Sequence, residues 1–135
     1  MSSMKVKYLG QLRTESLHVP SGQKIITDAP KDNQGKGEAF SPTDICASSL
    51  ASCMMTIMGI FCQRENINMD GMEAQVEKIM NTTPRKIAEI KIIFTWNEAK
   101  RYGEDQIIKI KRAALSCPVT LSLGAEVKQS IKFEF

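Results

Sequence analysis

Residues 41–60 read SPTDICASSLASCMMTIMGI, with helix-start signals at one end and a long apolar run behind them. Ser41 can serve as the N-cap, Pro42 as the first helical residue, and the Asp44 carboxylate can reach back to a free backbone N–H. No charged residue follows for the next eighteen positions. The sequence predicts a helix that runs to about Glu65, about 35 Å long. This helix is apolar almost all round, so other elements must wrap it.

An uncharged run of eighteen residues, 45–62, has the length at which a membrane span becomes a candidate. The run also contains three serines, a threonine and a glycine, and the chain contains no second run of this kind. We therefore interpret it as the buried helix of a soluble protein with no membrane partner. The chain opens without a basic n-region and an apolar h-region, so a cytoplasmic location is expected, with the cysteines as thiols.

Period-two patterns on both sides of this helix predict strands. Before it, three short strands precede a polar loop, residues 28–40, that is rich in turn formers. After it come a hairpin, two helices and a closing strand. This order predicts one α+β domain over residues 1–135, with antiparallel sheets wrapped around the long central helix. The predicted strands cover 4–8, 16–19, 24–27, 72–77, 88–96 and 127–135, and the later helices are predicted from Glu104 and from Cys117-Pro118.

Composition narrows the functional classes. The 135 residues are 42% hydrophobic and 24% charged, an average soluble composition that needs neither metal nor disulfide to fold. The formal net charge is +3, and the basic residues are scattered among acidic ones, whereas a nucleic-acid surface is a clustered basic stripe. The chain has one histidine and no Cys-x-x-Cys pair. We therefore expect no nucleic-acid partner and no metal site.

Four cysteines are the chemically distinctive residues of the chain. Cys46, Cys53 and Cys62 fall on the long helix; the first two share a face but lie about 10.5 Å apart along its axis, and the third is on the opposite face. A disulfide requires Cα atoms within about 7 Å, so any intrachain pair has to include Cys117. Cys117 precedes Pro118 at a helix start, which favours a thiolate, whereas Cys53 would need a neighbouring charge, most simply an arginine. Cysteines on an apolar helix are also commonly inert and buried, which is how we interpret Cys46 and Cys62.

Two motifs carry a family resemblance. Residues 41–60 resemble the central-helix motif of the OsmC/Ohr family, the osmotically inducible protein C and organic hydroperoxide resistance proteins. The segment AALSCPVTLSL, 113–123, resembles the second cysteine motif of that family. Residues 12–22 and 26–44 are most similar to its YhfA-like branch. The resemblance implies an OsmC-like fold, an intertwined homodimer with its active site at the subunit interface, and a thiol peroxidase that uses no cofactor.

The resemblance also implies roles for individual residues. Cys53 would attack the peroxide and become a sulfenic acid, and Cys117 would resolve it as a Cys53–Cys117 disulfide, which a dithiol or protein thiol then reduces. These roles differ from the local argument that favours Cys117 as the thiolate. Arg13, the only arginine of the N-terminal region, would activate Cys53. The plainer alternative for Arg13 is a solvated charge at the end of a strand.

The hydroperoxide-resistance branch also has a glutamate directly after the helix-start proline. Here that position is Thr43, so Asp44 and Glu38 are the candidate supporting carboxylates, and helix capping is the plainer role for Asp44. The sequence therefore predicts a peroxidase that acts on organic hydroperoxides. Two alternatives stay open: a thiol enzyme that acts on another electrophile, and a non-catalytic ligand-binding or stress-associated dimer.

Overall fold

The computed structural model describes residues 2–135, which form six strands, three α-helices and two short 3-10 segments. This mixture confirms the α+β class. The chain divides into two compact units, one ending at Cys46 and the other formed by Ala47–Phe135. The expectation of a single domain over residues 1–135 stays a prediction, and each unit is described in turn.

Three antiparallel strands form the sheet of the N-terminal unit: β1 (Met4–Gly10), β2 (Arg13–His18) and β3 (Lys24–Asp28). The turn between β1 and β2 is formed by Gln11 and Leu12, whose φ angles of 53° and 63° both lie in the left-handed region. A two-residue turn of this kind has the twist that an antiparallel hairpin needs. The alternating patterns predict the same three strands, with ends that differ by a few residues.

The buried side chains of the N-terminal unit are polar. Within its described residues only Thr27, Asp28 and Ser41 are buried. Alternate residues of β1, from Met4 to Tyr8, carry apolar side chains that share one face of the strand and are exposed. The N-terminal unit therefore combines buried polar groups with an exposed apolar sheet face.

One hydrogen bond joins the two ends of the predicted loop at 28–40, because the Asp28 N–H donates to the Phe40 carbonyl at 3.1 Å. Within the loop, Lys31–Asn33 form a 3-10 segment that the sequence pattern does not predict. Asp28 ends β3 rather than opening the loop, since it pairs in register with Arg13 of β2. The strand is longer than predicted because this cross-strand pair extends the ladder.

The predicted long helix is confirmed as α1 (Pro42–Arg64), and it ends within one residue of the predicted position. It opens with a capping box, in which the Asp44 N–H donates to Ser41 Oγ at 3.0 Å and the Ser41 N–H donates to the Asp44 carboxylate at 2.9 Å. Beyond its end, Asn66 has a φ of 56°, the left-handed conformation that commonly terminates helices. Local side-chain chemistry therefore determines both ends of α1.

The sheet of the C-terminal unit combines β4 (Glu73–Thr82), β5 (Arg85–Thr95) and β6 (Lys128–Glu134). β4 and β5 form the predicted antiparallel hairpin. β6 pairs with β5 in parallel, so the expected antiparallel pairing holds for the other strand pairs and not for this one. A parallel neighbour requires a long crossover. The crossover consists of a 3-10 segment (Asn97–Arg101), α2 (Glu104–Ala114) and α3 (Pro118–Ser122).

One stripe of α1 forms the centre of the core of the C-terminal unit. Its buried residues recur at helical spacing and form one cluster with the central strand β5 and with α2. Burying one large apolar side chain contributes about 1.5–3 kcal/mol. The buried residues include Leu50, Met54, Met58 and Cys62 of α1, Ile90, Ile92 and Phe94 of β5, and Ile110 and Ala114 of α2.

Within residues 2–135, α1 is the one helix that is long and apolar enough to cross a membrane by length and composition. The core helix of a soluble protein passes the same test. The buried stripe of α1 clusters with β5 and α2, as expected for a core helix.

Two isoleucines of α2 provide a test of this core. Ile110 is fully buried, whereas Ile108 is 51% exposed. Ile110→Ala is expected to lower the free energy of unfolding by about 2–5 kcal/mol, because it leaves a cavity. Ile108→Ala should change it by no more than about 0.5 kcal/mol. Urea denaturation measures both values, and equal losses would contradict the core described above.

Candidate active site

Two of the four cysteines meet in the C-terminal unit. Cys53 lies on α1, three residues after Leu50, at the margin of the buried stripe, and is partly buried. Cys117 immediately precedes α3 and is fully buried. The Cys117 side chain lies near enough to Cys53 to raise the pKa of its thiol, and no disulfide joins cysteines within residues 2–135. The structure thus brings the two cysteines of the sequence hypothesis near each other in the C-terminal unit.

Donors at the start of α3 hold both sulfurs. The Val119 N–H lies near the Cys53 sulfur and lowers the pKa of its thiol. The Thr120 N–H donates to Cys117 Sγ at 3.3 Å, and Thr120 Oγ1 lies 3.0 Å from the same sulfur. Cys117 is therefore the N-cap of α3, and Pro118 occupies the first helical position, where a missing N–H is tolerated.

Val119 and Thr120 are site residues that the sequence reasoning did not identify. The signal for Thr120 was present, because a cysteine at a helix N-cap directs its side chain toward the N–H groups two or three residues later. No comparable sequence signal exists for Val119, whose N–H reaches a sulfur on α1.

The environment of Cys53 disfavours a thiolate. Burial raises the pKa of the Cys53 thiol above its ordinary value. The Val119 N–H lowers this pKa because it donates to the sulfur, and the Cys117 side chain raises it again. A nucleophilic Cys53 therefore needs a positive charge in addition to the groups that act on it within the described chain.

The N-terminal unit holds the predicted arginine in a fixed ion pair. Arg13 Nε and Nη2 donate to the two carboxylate oxygens of Asp28 at 2.7 and 2.8 Å. Asp28 is 1% exposed, and the Glu38 backbone N–H also donates to it at 3.2 Å. The Glu38 carboxylate lies 3.8 Å from Arg13 Nη2. Arg13 is therefore ion-paired with Asp28 and lies beside Glu38, and its role in a site stays a prediction.

The Arg13 hydrogen bonds lower the pKa of Asp28, and the same pair raises the pKa of Arg13. Sequence reasoning does not identify Asp28 as a site residue, because the turn-forming pattern assigns its position to the loop. The observed β2 begins three residues before the predicted strand and the observed β3 ends one residue after it, and both extensions are needed to place Asp28 opposite Arg13.

The two candidate carboxylates have different surroundings. Glu38 is mainly exposed and contacts Arg13 and Asp28 of the same unit. The Asp44 carboxylate accepts the Ser41 N–H in the capping box of α1. The structure thus groups Arg13 with Glu38, groups Cys53 with Cys117, and gives Asp44 its capping role.

The other two cysteines are on α1. Cys46 is partly buried, and Cys62 belongs to the buried stripe, where burial raises its thiol pKa. Within residues 2–135 no group of three or more His, Cys, Asp and Glu side chains is arranged to hold a metal ion.

The family is established by comparison with known proteins. The sequence model of the family described as OsmC-like protein matches residues 35–132. The chain belongs to the OsmC-like family. The assignment of this OsmC-like chain to the YhfA-like branch stays a prediction.

Solved structures agree with this assignment. A crystal structure from Psychrobacter arcticus, described as an osmotic stress induced and detoxification response protein, is 44% identical to the OsmC-like chain, with a TM-score of 0.93. The match covers 99% of this chain and 96% of that one. Among curated proteins, none matches the chain.

Two more distant structures share the fold. The organic hydroperoxide resistance protein OsmC of Legionella pneumophila is 14% identical, with a TM-score of 0.75 over 100% of this chain and 98% of that one. The organic hydroperoxide resistance protein OhrB of Bacillus subtilis is 16% identical, with a TM-score of 0.65 over 98% of each chain. At these identities the likeness shows the fold alone.

The lowered pKa of Asp28 makes stability depend on acid pH. The carboxylate stabilises the fold above the ordinary pKa of an aspartate, about 4, and this contribution is lost as the pH falls through the lower folded-state pKa. We expect the free energy of unfolding of the wild type to fall as the pH drops below about 4, and to fall less steeply in Asp28→Asn. Urea denaturation at a series of pH values measures this. Asp70→Asn, at an exposed aspartate, is the control, and an unchanged slope in Asp28→Asn would contradict the prediction.

Proposed function

We propose that this protein is a thiol-dependent peroxidase that reduces organic hydroperoxides through a Cys53 sulfenic acid and a Cys53–Cys117 disulfide. The observation that carries the proposal is that Cys117, at the start of α3, lies near enough to Cys53 of α1 to raise the pKa of its thiol. A sulfenic acid is resolved by a second thiol only where that thiol lies within reach, and Cys117 is such a neighbour.

The reaction needs only sulfur chemistry. The Cys53 thiolate attacks one peroxide oxygen, so that a sulfur–oxygen bond forms, the oxygen–oxygen bond breaks and an alcohol leaves after taking a proton. Cys117 then attacks the sulfenic sulfur, forming the disulfide and releasing water. A dithiol or protein thiol reduces the disulfide and is itself oxidised. We propose a cytoplasmic setting, where such reductants are present.

The named relatives support the choice of substrate. The Legionella and Bacillus proteins are both described as organic hydroperoxide resistance proteins. By analogy, we assign organic hydroperoxides to this chain as its substrate class. The partly exposed Cys53 is the sulfur that a substrate can approach, because Cys117 is fully buried.

A homodimer is part of the proposal. The face of β1 from Met4 to Tyr8 is apolar and exposed, and Ile60 of α1 is also largely exposed. Exposed apolar surface of this kind marks an association surface. A second copy of the chain would cover it and would complete the site at the subunit interface.

We assign Arg13 the role of supplying the missing positive charge to Cys53 of the partner subunit. Burial raises the Cys53 pKa, and an arginine stays charged when it is desolvated. The bidentate pair with Asp28 fixes the orientation of the guanidinium, while Glu38 lies at its edge. Its remaining N–H groups could also hold a peroxide oxygen.

One observation favours a second function. The raised pKa of Cys53 reduces the thiolate fraction at neutral pH, as expected for a non-catalytic ligand-binding dimer. Titration separates the two functions. A peroxidase loses two thiols per hydroperoxide consumed, whereas both thiols of a binding protein survive. If the thiols react with other electrophiles but not with hydroperoxides, the third alternative is indicated, a thiol enzyme with a different substrate.

Single cysteine substitutions test the assigned roles. Cys53→Ser is expected to abolish hydroperoxide turnover, because no sulfenic acid can form. Cys117→Ser should allow one turnover and then accumulate a sulfenic acid at Cys53, detected as a dimedone adduct by mass spectrometry. Cys46→Ala, seven residues before Cys53 on the same helix, is the control and should turn over normally. Retained turnover in Cys53→Ser, with an adduct at Cys117, would reverse the assignment.

Removal of the arginine charge tests the role of Arg13. A double variant, Arg13→Gln with Asp28→Asn, removes both charges of the pair, so the buried Asp28 carboxylate is not left without its partner. It is expected to shift the pH profile of Cys53 alkylation upward and to slow alkylation at pH 7. Arg101→Gln, at an exposed arginine, is the control and should leave the profile unchanged. A profile that is unchanged in the double variant would remove Arg13 from the site.

Subunit mixing distinguishes action across the dimer from action within one subunit. The Arg13 double variant and Cys53→Ser are each expected to be inactive alone. If Arg13 acts across the interface, dissociating and reassociating a mixture restores part of the activity, because a mixed dimer contains one complete site. Absence of recovery in verified mixed dimers would place the two residues in the same subunit.

A further inference from the structure

The two sulfurs of the site are held unequally. Cys117 Sγ receives the Thr120 N–H and also lies within hydrogen-bond distance of the Thr120 hydroxyl, at 3.3 and 3.0 Å. No hydroxyl of α3 contacts the Cys53 sulfur among the described hydrogen bonds, and the group of α3 that acts on Cys53 is the Val119 N–H, which lowers the pKa of its thiol. Cys117 is 0% exposed, whereas Cys53 is partly exposed. The Cys117 sulfur therefore has the closer polar contacts with the protein, whereas the Cys53 sulfur is more accessible to solvent.

The backbone of Thr120 is held in place by the sheet. The Gln129 side-chain amide donates to the Thr120 carbonyl at 3.1 Å. Gln129 lies on β6 and pairs in register with Ile90, a fully buried residue of β5. The Thr120 hydroxyl is thus presented to Cys117 from a backbone anchored to the central strand of the core.

We propose that Thr120 is a positioning residue for reduction of the Cys53–Cys117 disulfide, and that it makes Cys117 the leaving group and Cys53 the sulfur that the reductant attacks. The inference rests on the proposed disulfide. It concerns the reduction of the disulfide. The roles of Cys53 and Cys117 in peroxide reduction do not determine which of the two sulfurs the reductant attacks.

The exchange step balances as an ordinary thiol–disulfide exchange. The thiolate of an external thiol attacks the Cys53 sulfur in line with the sulfur–sulfur bond; a new disulfide forms between the two, and the old bond breaks with its electron pair on Cys117. The Thr120 hydroxyl, which can donate or accept beside a neutral thiol, donates to the thiolate. A second thiol then releases Cys53, so that two external thiols are oxidised for each disulfide reduced.

Accessibility and leaving-group stability both favour attack on Cys53 with Cys117 as the leaving group. In-line attack on Cys117 would require an external thiol to reach a sulfur with no exposed surface. It would also expel Cys53, which the Thr120 hydroxyl does not stabilise. Leaving groups that are better stabilised as thiolates depart faster, so reduction through Cys53 is the faster course.

Kinetics of the isolated reduction step test the role of the hydroxyl. The protein is oxidised to the disulfide with diamide, without peroxide, and its reduction by dithiothreitol is followed by intrinsic fluorescence. Thr120→Val is expected to slow reduction about 5- to 10-fold, because a hydrogen bond to a charged group contributes about one factor of ten or more and is partly formed at the transition state. Thr120→Ser should restore the rate. Ser122→Ala is the control, because it removes another hydroxyl of α3, whose described hydrogen bond is to the Pro118 carbonyl. The disulfide of this variant should be reduced at the wild-type rate.

A purely structural role for Thr120 gives a different result. Sulfenic acid formation at Cys53, measured in a single turnover with cumene hydroperoxide, should proceed at the wild-type rate in Thr120→Val. Equal slowing of both half-reactions, or failure of Thr120→Ser to restore reduction, would show that the hydroxyl only maintains the local structure and would overturn the inference.

The attacked sulfur is identified directly. The oxidised protein is treated with glutathione, quenched in acid, alkylated under denaturing conditions and analysed by mass spectrometry. We expect glutathione on Cys53 and the alkyl group on Cys117; the opposite pattern would overturn the inference. The wild-type protein could consume no hydroperoxide while its diamide-formed disulfide still shows the Thr120 dependence and takes up glutathione on Cys53. That result would refute the proposed function alone. Normal peroxide turnover without any Thr120 effect would refute this inference alone.

Discussion

The stripe of α1 that contains Leu50, Met54 and Met58 leaves water by packing with β5, and this burial determines where the other elements of the C-terminal unit can lie. β5 is the central strand, and its neighbour β6 runs parallel to it, so the chain has to cross over through α2 and α3 before it reaches that edge. The crossover brings Cys117 to the margin of the stripe, where Cys53 lies. The proximity of the two cysteines is therefore a consequence of how the core is built.

The same location creates an electrostatic problem for the chemistry. A sulfur at the margin of an apolar core is close to its partner, but it is also desolvated, and desolvation raises the pKa of Cys53. Hydrogen bonds from the first turn of α3 offset part of this effect. The remaining requirement is a full positive charge. In this chain a buried aspartate holds Arg13 in a defined orientation in the other unit. The core thus supplies proximity, whereas under the proposed function the charge comes from Arg13, in a unit whose buried side chains are polar.

Much of the architecture could be predicted because its causes are local. Ser41 and Asp44 cap α1, and strict alternation defines the β4–β5 hairpin, so both are recognisable from neighbouring residues alone. The parallel pairing of β6 could not be predicted in this way, since it depends on contacts with β5 about forty positions earlier in the chain. For the site, helix geometry reduced the disulfide alternatives to pairs that include Cys117. The contacts of Val119 with Cys53 and of Asp28 with Arg13 depend on tertiary placement, and sequence reasoning missed both.

The buried side chains of the N-terminal unit are polar, and this affects how readily local unfolding breaks the ion pair of Arg13 with Asp28. Local unfolding costs least where few apolar side chains are buried, and among the described residues of this unit the buried side chains are Thr27, Asp28 and Ser41. Amide hydrogens of β1 and β2 should therefore exchange with solvent sooner than those of β5 as long as the apolar face of β1 stays uncovered. Covering that face would slow this exchange. Association and ordering of the Arg13 cluster would then occur together, and the charge that the chemistry requires would be in place only in the assembled protein.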